Sequence, residues 1–183
     1  FIPTIATSIY TVLDKTLIGV ITQNDAQNGY YEQATKIINM AKSVSFNAVN
    51  AVVGVRIAYL FVDNKMEEIR DRISKSMDFI LYMTIGCGFG IAGVAKILVP
   101  LFLGKGYDQV ITLLYIFAPI ITIIGISNCL GSQYYTPSGR RNDSTKYLLC
   151  GSAVNLILNL CLIGKYGANG AAFASVLAEF CIT

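Results

Sequence analysis

The polar residues that stand inside otherwise apolar stretches carry the chemistry of this sequence. They are Asp14, the cations Lys15, Lys42 and Arg56, and the carboxamides Asn47, Asn50, Asn155 and Asn159. Asp14 and Lys15 follow Thr4, Thr7, Ser8 and Thr11 at helical spacings, so the six form one polar stripe. Such a stripe suits a hydrated cavity, and mutual neutralisation of Asp14 and Lys15 is the plainer alternative. Asn39, Ser43, Asn47, Asn50 and Gly54 share a face of a second helix. Lys42 and Arg56 share another, because their separation is close to four helical turns. Each of these two cations fits two readings. It either snorkels to the membrane surface or lines the cavity, where a guanidinium suits phosphate. Ser152, Asn155 and Asn159 line up on a further helix, where interhelical hydrogen bonding and ligand contact explain them equally well.

Other chemistries are excluded or weak. The chain has no His, which removes His-based triads, general bases and metal sites. Gly88-Phe89-Gly90-Ile91-Ala92-Gly93 matches a dinucleotide-binding pattern, but it lies within an apolar run with no preceding strand. It reads instead as close helix packing, with Gly86 and Gly90 as a small-residue pair. Cys87, Cys129, Cys150, Cys161 and Cys181 lie in apolar segments without a C-x-x-C and read as packing residues. The sequence suggests no enzyme, no cofactor and no nucleic-acid partner.

These residues need elements to position them, and the composition says which. Of 183 residues 54% are hydrophobic and only 14% charged, with a mean hydropathy of +0.57. Soluble domains carry about 25% charged residues. A helix needs about 20 apolar residues to cross a ~30 Å hydrocarbon core. Six segments fit: Ile2–Thr22, Ile37–Val62, Met77–Val99, Val110–Leu130, Tyr147–Gly164 and one beginning near Gly170. Period-2 alternation is missing, which argues against a barrel. The expected fold is all-α, a polytopic six-helix transmembrane bundle over residues 1–183. Phe1 already stands in a span and Thr183 cuts one short, so the sequence reads as part of a longer chain.

The connections Gln23–Lys36, Asp63–Ser76, Lys96–Gln109, Ser132–Lys146 and Lys165–Asn169 are short. The second and fourth hold Lys65, Arg70, Arg72, Lys75, Arg140, Arg141 and Lys146; the others hold Lys36, Lys96, Lys105 and Lys165. The richer set belongs in the cytoplasm by the positive-inside rule. The Asn142-Asp143-Ser144 sequon then lies on the cytoplasmic side. Asp63–Ser76 reads as an amphipathic helix with Glu68–Arg72 and Asp71–Lys75 pairs one turn apart. Pro119 is expected to kink its span.

Four stretches carry a resemblance. They are Phe1-Ile2-Pro3 through Asp14-Lys15, Asn28-Gly29-Tyr30-Tyr31-Glu32-Gln33-Ala34-Thr35-Lys36-Ile37, and Leu130-Gly131-Ser132-Gln133-Tyr134-Tyr135-Thr136-Pro137-Ser138-Gly139-Arg140. The fourth is Asn155 to Asn159 with Tyr166-Gly167-Ala168-Asn169-Gly170-Ala171-Ala172 and Ala174 to Glu179. In order and spacing the chain resembles bacterial polysaccharide-export flippases, the Wzx-type branch of the multidrug/oligosaccharidyl-lipid/polysaccharide exporter superfamily. The resemblance implies a two-lobed transporter of which this chain is the second, C-terminal bundle. It implies flipping of undecaprenyl-pyrophosphate-linked oligosaccharides across the bacterial inner membrane by alternating access, driven by H+ or Na+. Lys15, Lys42 and Arg56 would then neutralise pyrophosphate. Asn47, Asn50, Asn155 and Asn159 would bind sugar, and Asp14 would couple the ion. The partners implied are the lipid-linked substrate, membrane lipids and the N-terminal bundle. An ion-coupled small-molecule exporter is the alternative, and a membrane glycan polymerase fits less well. For topology, a cysteine placed at Asn142 should react with an impermeant maleimide only from the cytoplasmic side. Labelling from the opposite side would overturn the orientation.

Overall fold

Within lipid, a single segment can satisfy its own backbone only as a helix. The computed structural model describes residues 2–63 and 65–183, with the side chains of 2–11, 47, 48 and 51 excepted, and its regular elements are all helical. Helix α1 spans Ile2–Thr22 and α2 spans Asp25–Lys42. A π-helical turn, Ser43–Asn47, leads into α3, Ala48–Val62. Helix α4 spans Met66–Leu103 and α5 spans Asp108–Leu130. A second π turn, Gly131–Tyr135, precedes α6, Arg141–Ile182. Among the described residues, three helical runs are long and apolar enough to cross a membrane: Met66–Leu103, Asp108–Tyr135 and Arg141–Ile182.

The expected connection Gln23–Lys36 is mostly helix instead. Only Gln23 and Asn24 separate α1 from α2, and the Asn24 side chain caps α2 by accepting from the Ala26 N–H at 3.0 Å. The polar residues Asp25, Gln27, Asn28, Glu32 and Gln33 make this stretch look like a loop. Tyr31, Ala34 and Ile38, buried at helical spacing, show why it is a helix. Asp63–Ser76, read as an amphipathic helix, is helical from Met66 and runs on into the span as the first turns of α4, with the expected pairs Glu68–Arg72 (2.7 Å) and Asp71–Lys75 (2.6 Å). The 38 residues of α4 rise about 57 Å at ~1.5 Å each, well beyond a ~30 Å hydrocarbon core, so its ends project.

Helix α6 is bent back on itself. Gly167 has φ +56° and ψ −135°, a conformation that favours glycine, and the two arms on either side run antiparallel. A Cβ at Gly170 would lie 2.6 Å from the Leu162 carbonyl oxygen, and one at Gly151 would collide with Ile182. The expected Lys165–Asn169 connection thus shrinks to one non-helical residue.

Helix α5 occupies the centre, packed against α4, α6 and α2. Its Val110, Leu113, Leu114, Phe117 and Ile121 meet Tyr31, Ala34 and Ile38 of α2, Val99 of α4 and Ile163 and Ala171 of α6. It continues as one helix through Pro119. Gly88 is the close-packed glycine of α4: its Cβ position lies 3.0 Å from the Ala118 carbonyl oxygen. Gly86 and Gly90, read from sequence as the packing pair, face open space. Of the cysteines only Cys129 is buried, while Cys150, Cys161 and Cys181 face outward.

Gly170→Ala should destabilise the chain by about 1–3 kcal/mol, because the Leu162 backbone cannot withdraw easily. Gly90→Ala should leave stability unchanged or slightly raised. Thermal unfolding in detergent checks both, and equal behaviour of the two variants would contradict the hairpin packing.

Candidate functional site

A carboxylate withdrawn from water must be supplied with donors. Asp14 is only 3% exposed, and each of its oxygens is supplied. Tyr31 of α2 donates its hydroxyl to Oδ2 at 2.7 Å. The Ser175 hydroxyl, on the second arm of α6, lies 2.8 Å from the same oxygen and 2.9 Å from the Ala171 carbonyl oxygen. Asn159, on the first arm, donates from Nδ2 to Oδ1 at 2.6 Å and to Asn155 Oδ1 at 2.9 Å. Three separate helical segments therefore converge on one carboxylate, and these donors are all neutral. Asn159 Oδ1 is buried beside this cluster without a hydrogen-bond partner among the described residues.

Lys15 does not neutralise its neighbour. It turns to Glu32 at 3.8 Å, and Glu32 also holds Lys36 at 3.1 Å. Asp14 and Lys15 nonetheless border the same cavity of about 410 Å3. Tyr31, Thr35, Asn39, Lys42, Ser175 and Glu179 supply the rest of its polar wall, and Phe117, Ile120 and Ile124 of α5 its apolar floor. Lys42 and Glu179 bring opposite charges to the wall of this cavity. The Tyr31 ring packs edge-on against Phe117 at 5.5 Å between centroids, which holds its hydroxyl on Asp14.

Arg56 stands elsewhere. It lines a groove of about 550 Å3 between α3 and α4, together with Arg72 and Lys75. The shared face expected for Lys42 and Arg56 is broken by the π turn Ser43–Asn47. Its wider turn takes up an extra residue and rotates everything after it by roughly 100°. Asn50 is also drawn off. It donates to Asn128 at 2.7 Å and accepts from Gln133 at 2.8 Å, and Gln133 donates to Ser76 at 2.8 Å. This network joins α3, α4, α5 and the second π turn. The side chains of Asn47, Thr4, Thr7, Ser8 and Thr11 lie outside the described residues.

Residues 1–112 match the model of the polysaccharide biosynthesis protein family. The chain belongs to that family. The whole chain is also 26% identical to a putative O-antigen transporter of Escherichia coli (strain K12), of which it covers 43%. Over 69 residues, 34% of the chain, it is 39% identical to an uncharacterised membrane protein of Methanocaldococcus jannaschii, of which it covers 14%. The chain thus spans less than half the length of the curated relatives it matches. No solved structure matches it.

Within this family member, sequence reasoning brought Asp14, Asn155 and Asn159 forward but not that they meet. It passed over Tyr31, which seemed to lie in a loop, and Ser175, which stands among small residues. A signal for Ser175 was present: Ala171, Ser175 and Glu179 recur every four residues. The Gln27–Gln109 pair was also passed over. The two amides donate to each other at 2.9 and 2.8 Å, and Gln27 Oε1 accepts the Ala168 N–H at 3.1 Å, clamping the α6 bend.

In a double-mutant cycle, Asn159→Ala should cost about 1–3 kcal/mol with Asp14 present, since it strips a donor from a buried carboxylate. The cost should fall in an Asp14→Ala background, with a coupling of at least about 0.5 kcal/mol. Ser152→Ala, whose hydroxyl bonds only the Leu149 carbonyl, should be additive with Asp14→Ala. Unfolding midpoints in detergent provide the readout.

Proposed function

We propose that this chain is one lobe of a two-lobed transporter that flips undecaprenyl-pyrophosphate-linked oligosaccharides across the bacterial inner membrane. Helix α1, the run from α2 through α3, α4, α5 and the two arms of α6 are its six crossings. The flipping is by alternating access against an N-terminal bundle, as repeat-built transporters work. The observation that carries this reading is the cluster around Asp14, which stands on the wall of a cavity whose other charged residues include Lys15 and Lys42.

Asp14 is the coupling residue. Its oxygen-rich surroundings offer the Tyr31 and Ser175 hydroxyls and the orphaned Asn159 Oδ1, oxygen atoms that can accept H+ or ligate Na+. Occupancy would change which of these hydrogen bonds persist, and through them how α1, α2 and the α6 arms sit together. Asn155 and Asn159 then serve the ion, and sugar contact falls to Asn39, Thr35 and other cavity groups. Lys15 and Lys42 neutralise pyrophosphate, while Arg56 contributes nothing to this cavity. Family membership and the likeness to a putative O-antigen transporter support a transport role over an enzymatic one.

The test uses the full-length protein in a strain lacking its own copy. Asp14→Asn, which keeps the size of the side chain, should lower surface glycan at least about tenfold at normal membrane levels, the effect of ~1.4 kcal/mol. Lys42→Gln should lower it as well. Wild-type glycan from Asp14→Asn would overturn the assignment.

A further inference from the structure

The groove between α3 and α4 is separate from the Asp14 cavity and shares no lining residue with it. Its construction is ordered along the helices. Arg56 lies six residues before the end of α3 and Arg72 six residues after the start of α4, so the two positions stand level, about 9 Å from those helix ends. Lys75 lies one turn further along α4. Beyond the cations, away from the tip, the walls become apolar: Val49, Val52 and Val53 on α3 and Phe79 on α4. Val52 and Phe79 are 61% and 50% exposed.

No carboxylate lines this groove. Glu68 and Asp71 pair with Arg72 and Lys75 from one turn away on α4. Arg56 is exposed and, among the described residues, has no ion-pair partner. A cation beside an open apolar slot has a specific complement. It needs an anion attached to a hydrocarbon chain, with the anion nearer the hairpin tip and the chain running along the valines and Phe79. A soluble phosphate would leave the apolar part uncovered, and a zwitterionic lipid would bring a competing positive charge.

We propose that this groove binds an anionic membrane phospholipid, with its headgroup phosphate on Arg56, Arg72 and Lys75 and an acyl chain against Val49, Val52 and Phe79. The hairpin tip lies on the side that the distribution of Lys and Arg assigns to the cytoplasm. Anionic headgroups there attract basic residues. The site does not depend on glycan transport, and it stands if the transport reading fails.

The experiment places the chain in nanodiscs of phosphatidylcholine with a minor share of photoactivatable phosphatidylglycerol. Cross-links should map to residues 49–56 and 72–79. Arg56→Gln should lower the yield about fivefold, the effect expected for one basic residue near a headgroup. Arg56→Lys should keep most of it, which separates lost charge from lost fold. Arg70→Gln, on α4 but outside the groove, should cross-link as wild type. The proposal is overturned if Arg56→Gln matches wild type, or if Arg70→Gln falls as far, which would mean general surface attraction. It is also overturned if photoactivatable phosphatidylcholine labels the groove equally, or if soluble pyrophosphate displaces the phospholipid completely.

Discussion

A buried carboxylate restricts a helical bundle more tightly than any apolar contact. Apolar side chains accept many neighbours, whereas the oxygens of Asp14 need donors in particular directions and each such hydrogen bond contributes about 1.5–3 kcal/mol. Its donors come from α2 and from both arms of α6. Asn159 and Ser175 belong to one helical run and can reach one carboxylate only if that run turns back between them. Gly167 makes the turn, Gly170 lets the arms approach, and Gln27 holds the first amide after the bend. The registers of α1, α2 and α6 all follow from satisfying Asp14.

The two π turns do the complementary work of re-aiming helices. Ser43–Asn47 rotates α3 relative to α2, so that Lys42 faces the Asp14 cavity while Arg56 faces α4. Gly131–Tyr135 brings Gln133 into the interior, where it bridges Asn50 and Ser76. Such insertions recur at functional sites because they change a side chain's direction without ending the helix. Here they divide the cationic residues between the Asp14 cavity and the groove beside α3 and α4.

Much of this was legible in the sequence, and the limits have physical causes. The apolar blocks placed α1 and α5 close to their observed bounds and the apolar part of α4, since twenty apolar residues in lipid can hardly be anything but helix. The pairs Glu68–Arg72 and Asp71–Lys75 were readable because helical spacing is local. Asp14 stood out through the cost of a charge in an apolar run. The reading failed where a residue's environment is made by distant segments. Asp25–Lys36 is polar enough to pass for a loop, yet one face of it is buried core. Gly86 and Gly90 have helical spacing for packing, but the rotation of α4 puts Gly88 against α5 instead.

The sequence by itself determined that this is a helical membrane chain, which residues are too polar for their surroundings, and roughly where each helix lies. Those properties depend on composition and on contacts within a few residues. Only the tertiary structure decided which polar residues meet. Asp14 joins Tyr31, Asn159 and Ser175 instead of Lys15, and Lys42 parts from Arg56. Those pairings depend on one bend at Gly167 and one extra residue in a π turn, and each turns a helix by an angle that its own periodicity does not record.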